Sequence, residues 1–418
     1  MTASVTEAPT EDVAYLLSPR AVRAAALRAL AAAEAGTLAH FSIDWGKWDA
    51  IVDRVLALVK SYPAPQAIPP HSRMRHFAAG GEHFGSIRLA ALDRMMAKFP
   101  PREALRARFD LIVPSVLLDA GAGAAWSYHE AGTNLILRRS EGLAIASMHM
   151  FSAGGFSHAP GTAPLRADAD RLAVLPEADV AEHFQVAPEN PLVGLAGRTA
   201  LMQRLGEVVG RDGSMQAAAA CAGEGVRIGH LADLLVDEAT NGQLPAERVL
   251  ARVLAVLGPI WPGRLSRGNV NLGDTWSHPT LGLVPFHKLS QWLTYSLLEP
   301  LALAGVTVTD LDALTGLAEY RNGGLFLDGG VLALRDENDR QARHQVGDPL
   351  VVEWRALTVA LLDRVAADLR ARLRLDAAAF PLAKVLEAGT WRAGREIAAS
   401  LREDASPPLQ IISDGTVF

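Results

Sequence analysis

The stretch Val352-Glu-Trp-Arg-Ala-Leu-Thr-Val-Ala-Leu-Leu-Asp-Arg-Val-Ala-Ala-Asp-Leu369 decides the class of fold. Trp354, Leu357, Leu361, Val365 and Leu369 recur at helical spacing along it and mark one apolar face. Leu289, Trp292, Leu293 and Leu297 mark a second such face upstream. Both segments are predicted to be helices that pack inward. Toward the amino end, Ser18-Pro19 opens an Ala-rich run that stops at Gly36, the residue order of an N-cap, a first turn and a helix exit. Trp48, Ile51, Val52, Val55, Leu58 and Val59 then describe a core-facing amphipathic helix. Pro63, Pro65, Pro69 and Pro70 break that pattern and place His71-Ser-Arg-Met-Arg-His76 in a loop.

Other stretches are less decided. Short apolar runs at Ile112–Leu118 and Leu135–Ile145 read equally as strand or buried helix. Thr309 and Asp312 resemble a capping box opening a short helix, which Asn322-Gly-Gly324 and Asp328-Gly-Gly330 are expected to end or bend. Residues 154–171, 262–279 and 335–349 read as long loops. The expected fold is therefore mainly α with a few short strands. A flexible N-terminus over 1–16 precedes one large helical catalytic domain, or two packed lobes, over 17–418.

Composition narrows the function. Among 418 residues, 46 acidic against 40 basic side chains give a net charge of −6, which offers no general field to gather a polyanion. The single cysteine, Cys221, permits neither an internal disulfide nor a thiolate metal cluster. Met1–Val13 carries acidic residues and no apolar stretch, unlike a secretory leader, and no uninterrupted apolar run has membrane-spanning length. A cytoplasmic enzyme on a small molecule is expected, with neither nucleic acid nor membrane as partner, as monomer or homodimer.

Familiar motifs are incomplete. Gly121-Ala-Gly-Ala-Ala-Trp126 has tryptophan where a dinucleotide fingerprint needs its third glycine, and reads better as a tight turn. Gly194-Leu-Ala-Gly-Arg-Thr199 lacks the lysine and spacing of a phosphate loop. Twelve histidines include no pair four apart beside a glutamate, so no metal and no cofactor is assigned. His71, His76 and His83 converge in a polar loop and are site candidates; His149 and His158 rank below them. Glu319-Tyr-Arg321 puts a carboxylate, a phenol and a guanidinium just before a glycine turn, a usable edge for an active site, although a helix-end salt bridge is the commoner use of such a pair. Lys288 opens an apolar helix.

Five segments carry a resemblance: Pro70–Phe77, Val116–Trp126, Arg139–Ala144, Phe184 through Asn190-Pro-Leu-Val-Gly-Leu195, and Glu319-Tyr-Arg-Asn-Gly-Gly-Leu-Phe326. Together they are similar to the fungal and bacterial uracil-catabolism protein four family, catalogued as a domain of unknown function. The resemblance implies a pathway that converts uracil to its ribonucleotide, opens the ring and finally releases urea, with a ribosylurea as the expected intermediate. A more distant likeness, in the order of segments, is to the queuosine salvage proteins, nucleotide N-glycosidases with a helical DNA-glycosylase-like fold. It rests on Leu117–Trp126, on Phe286-His-Lys288 with Gln291, on Ala318-Glu-Tyr-Arg321, and on Val352-Glu-Trp-Arg-Ala356.

That likeness implies a catalytic carboxylate at Glu319. It implies a substrate pocket drawing on His76, Asp119, Trp126, Lys288, Tyr320, Arg321 and Glu353. Asp119-Ala-Gly-Ala-Gly123 replaces that family's aromatic residues, so a flat base loses its platform while the N–H groups of a urea gain an acceptor. The expected reaction is hydrolysis of the N-glycosidic bond of ribosylurea or its 5′-phosphate, giving urea. The alternatives are an amidohydrolase acting on a ring-opened uracil derivative and a non-catalytic partner of the ring-opening enzyme.

Overall fold

A computed structural model describes residues 12–261 and 263–412. The chain is mainly helical, and strands among the described residues occur only as two-stranded pairings. Most of the expected flexible N-terminus, 1–11, lies outside the described residues, and Val13–Leu16 forms a short helix capped by Asp12.

Two central helices, Lys288–Leu303 and Pro349–Leu373, organise the interior. The sequence suggests one apolar face on each, yet every residue of Leu289–Leu298 and of Leu350–Leu362 is buried. Such helices are enclosed on all sides, so their polar members must find partners inside. Gln291, Thr294, Ser296, Glu353, Arg355 and Thr358 all do. Helix Pro19–Glu34 packs on Pro349–Leu373, Pro101–Leu117 on Lys288–Leu303, and Tyr320–Asp328 on Trp391–Leu401. The buried apolar side chains form one contiguous set from Val22 to Leu409. Ser18 caps its helix through Ala21 N (3.3 Å), and Gly36 exits it with φ +72°, as the sequence implies.

Tertiary partners override several local readings. The proline-flanked loop at 71–76 contains a short helix, Arg73–Phe77, whose first N–H is taken by Ser296 Oγ at 3.0 Å. Ile112–Leu118 falls in helix Pro101–Leu117, with Pro114 inside it, and Leu135–Ile145 divides into strand Leu135–Leu137 and helix Arg139–Ser152. The capping box at Thr309 does not form. Asp310 takes the cap position at φ +53° before a single 3₁₀ turn, Leu311–Ala313. Asn322-Gly-Gly324 neither ends nor bends a helix but lies within Tyr320–Asp328. A Cβ on Gly323 would sit 2.7 Å from the Trp354 ring, so glycine there serves close helix packing. The long loops are also partly ordered: 262–279 holds strands Ser266–Arg267, Val270–Asn271 and Thr275–His278, and 335–349 holds Arg343–Gln345.

Candidate active site

Glu319 is the N-cap of helix Tyr320–Asp328. Its two carboxylate oxygens accept the backbone N–H groups of Arg321 (2.7 Å) and Asn322 (2.6 Å), which fixes the group at the positive end of the helix. Buried Gln291 secures the approach to it. Its amide donates to Thr315 Oγ1 (2.7 Å) and Phe286 O (3.0 Å) and accepts from Thr315 N (2.8 Å), while Tyr295 Oη donates to Thr315 O at 3.0 Å.

Glu319 faces a cavity of about 420 Å³, within the usual range for small-molecule sites. Lys288, at the first turn of its helix, lines the same cavity. Asp274 holds that turn: it accepts Lys288 N at 3.1 Å and a bidentate pair from Arg355, both at 2.8 Å. His287 precedes the turn at φ +46°, pinned by Nε2 on Leu16 O at 2.8 Å. The Lys288 ammonium itself makes no hydrogen bond or ion pair among the described residues. Burial pushes the Glu319 carboxyl up, against the pull of its two N–H donors and of Lys288. Burial likewise pushes the Lys288 ammonium down, against the pull of Glu319.

Asp119 forms another part of the wall. Fully buried Arg73 donates to it at 2.7 Å and to Ser115 Oγ at 2.7 Å. Arg198 clamps the surrounding turn through the carbonyls of Leu118 (2.5 Å) and Gly121 (2.8 Å). Gly123 sits at φ +85°, where a Cβ would meet Val193 Cγ2 at 2.6 Å. The segment that resembled an incomplete phosphate loop therefore contributes Arg198 as a brace for the Asp119 turn.

His76, Asp119, Lys288, Glu319 and Tyr320 thus share one cavity. Three other expected pocket residues do not line it. Trp126 is wholly buried, its indole N–H spent on Phe184 O at 2.9 Å. Glu353 is also fully buried and accepts the N–H groups of Ala39 (3.2 Å) and His40 (3.0 Å), with His278 Nε2 3.3 Å away. It ties the chain's N-terminal third to the central helix. Arg321 is buried and donates to Ala405 O at 2.8 Å instead of facing a ligand. His83 is exposed on helix Glu82–Met96, away from the cavity.

Several wall residues escape the sequence reading. Trp292, marked there only as core, and Trp391 bring indoles to the cavity beside His71 and His76. The His76 ring stands edge-on to Trp292 (5.6 Å) and to Trp391 (6.2 Å). The loss of a flat aromatic surface expected at 119–123 is therefore offset by rings from other helices. Arg139 lines the cavity as well, and the strap 404–407 borders it through Asp404, Ser406 and Pro407. That strap is held by Arg139, which donates to Asp404 O at 2.5 Å and to Ala405 O at 3.5 Å, by Arg321, and by Arg402, which donates to Ser406 O at 2.8 Å. Beyond the strap, strand Gln410–Ile412 pairs in parallel with Arg343–Gln345. Signals for Trp391 and the strap were absent, because only tertiary packing brings those distant segments here.

Among the described residues no group of three or more His, Cys, Asp or Glu side chains is placed to hold a metal ion. No helix among them is long and apolar enough to cross a membrane.

Comparison with known proteins accounts for nearly the whole chain. Protein urg3 of Schizosaccharomyces pombe (strain 972 / ATCC 24843) is 37% identical over 424 residues, covering 98% of this chain and all of that protein. Uracil catabolism protein 4 of Lachancea kluyveri is 36% identical over 419 residues, covering 91% of this chain and 92% of that protein. A family model described as protein of unknown function (DUF1688) matches residues 15–418, and the chain belongs to that family.

Proposed function

We propose that this protein acts in uracil catabolism as an N-ribosyl hydrolase, cleaving ribosylurea to urea and ribose, or its 5′-phosphate to urea and ribose 5-phosphate. The observation that carries the reading is a carboxylate and an ammonium without a protein partner in one small-molecule cavity. The name of the Lachancea kluyveri relative, uracil catabolism protein 4, supports the pathway.

The chemistry follows from the placement. Cleavage of an N-glycosidic bond leaves positive charge on C1 of the ribose, and a fixed carboxylate stabilises that charge or directs water onto it. Glu319 has both oxygens oriented by backbone N–H groups and takes this role. Water adds its oxygen to C1 and gives a proton to Glu319. The C1–N electron pair leaves with the ureido nitrogen, which takes a proton from Lys288. Loss of the urea anion without that proton is unfavourable, and burial, which lowers the lysine's hold on its proton, suits it as the donor. Asp119 offers an acceptor to the urea N–H groups, and Trp292 and Trp391 supply apolar walls.

The test is urea release by purified protein from ribosylurea and from its 5′-phosphate, beside Glu319→Gln and Lys288→Met. Wild type is expected to release urea, with each variant reduced by about 10²-fold or more in kcat. No urea from either compound with a folded wild-type protein refutes the reading and favours amide-bond hydrolysis or a non-catalytic partner role.

A further inference from the structure

His71, His76 and Trp391 are a shared wall. On their far side lies a second cavity of about 530 Å³, lined also by Arg75, Arg138 and Arg395. Two carboxylates face these three guanidinium groups, and each is already engaged: Glu141 with Arg395 at 2.6 Å, and Glu387 with His71 at 2.8 Å. Arg75 makes one ion pair, to Glu299 at 2.5 Å, and its Nε is buried without a partner. Arg138 makes no side-chain hydrogen bond or ion pair among the described residues. His76 Nδ1 is also buried and unpartnered on the shared wall, in a residue only 8% exposed. Three carboxylates thus balance the three guanidinium groups, and Arg138 is the one of the three arginines without a partner among the described residues.

We propose that this outer cavity binds a phosphate monoester. A guanidinium presents a planar fork of donors that matches phosphate oxygens, and a monoester offers three such oxygens to unpaired Arg138 and to the N–H groups that Arg75 and Arg395 keep beside their ion pairs with Glu299 and Glu141, whereas a carboxylate offers two. Exposed Ile136 at the rim, 63% accessible, gives the organic part of the ligand an apolar contact. The site stands on its own geometry and does not rest on the glycosidase reading. The phosphate belongs either to the substrate of the Glu319 cavity or to a separate metabolite.

Calorimetry with inorganic phosphate and with ribose 5-phosphate tests the site without any need for catalysis. Both are expected to bind the wild-type chain, and ribose is not. Arg138→Ala is expected to weaken binding about tenfold or more and Arg138→Glu to abolish it, whereas Lys288→Met leaves it unchanged. Arg138 is exposed, so neither Arg138 variant threatens the fold, and circular dichroism of each checks this. Absence of phosphate binding, or binding that is lost in Lys288→Met and retained in both Arg138 variants, overturns the proposal. A urea-release assay then separates the two sources. Added phosphate that raises KM for the phosphorylated compound alone identifies the substrate's own phosphate. Binding that leaves both KM values unchanged identifies a separate metabolite, and either result upholds the site.

Discussion

Replacing Gln291 with leucine measures how firmly the approach to Glu319 is held. The amide is fully buried and makes three hydrogen bonds, two of them to Thr315 and one to Phe286 O. Leucine is close in size and makes none. The Thr315 N–H is then buried without an acceptor, at about 1–3 kcal/mol, and two donated bonds are lost at about 1 kcal/mol each. The added apolar surface returns about 1–2 kcal/mol. The expected net loss is about 1–4 kcal/mol, read as a lower guanidinium chloride midpoint at unchanged slope. Thr315→Val in the same background completes a double-mutant cycle, in which the bond to Oγ1 appears as a coupling of about 1 kcal/mol. Because Thr315 leads into Glu319, urea release is expected to fall by more than the unfolded fraction explains, with the loss mainly in kcat. A stability change below about 0.5 kcal/mol, or zero coupling, refutes the assignment of Gln291 as a positioning residue.

Gly394→Ala gains roughly 1 kcal/mol of helix propensity but places a Cβ 2.0 Å from Arg321 O, backbone that cannot swing aside. A net loss of about 2 kcal/mol or more is expected by thermal melting, and a variant as stable as its parent would sink the packing argument. His76, pushed down to about 4 by burial and by nearby Arg73, is expected to stay neutral in NMR titration until pH approaches that value. An unfolded histidine titrates at about 6.5. Its contribution to stability is therefore complete above that pH and is lost as pH falls toward 4. The raised Glu319 and lowered Lys288 place the acid limb of the kcat/KM profile above the ordinary glutamate range and the alkaline limb below the ordinary lysine range. Arg139→Ala with Arg321→Met frees the carbonyls of Asp404 and Ala405, and hydrogen exchange across 403–409 is expected to quicken while the central helices stay protected.

The central helices were legible because Leu289–Leu297 and Trp354–Leu369 repeat at helical spacing, and Glu319 because a carboxylate, a phenol and a guanidinium precede glycines. Burial on all sides was not legible, since period reports one face and not what surrounds it. Trp126 and Glu353 illustrate a further limit. The likeness to the queuosine salvage proteins implied a pocket role for both, yet the first fills the core and the second satisfies two backbone N–H groups distant in sequence. A buried acid can meet a structural need, and only the fold shows which need it meets. Trp391 and the strap came from segments whose local pattern says nothing of the cavity they join.

The strap has a consequence for the order of assembly. Asp119, Lys288 and Glu319 are all synthesised before residues 404–407, which line one side of the cavity and are fastened through Arg139, Arg321 and, beyond them, the pairing of Gln410–Ile412 with Arg343–Gln345. A nascent chain therefore carries its reacting groups before that part of the wall exists. The wall of the cavity is thus completed only once those residues have docked, after the chemical groups it flanks have been made.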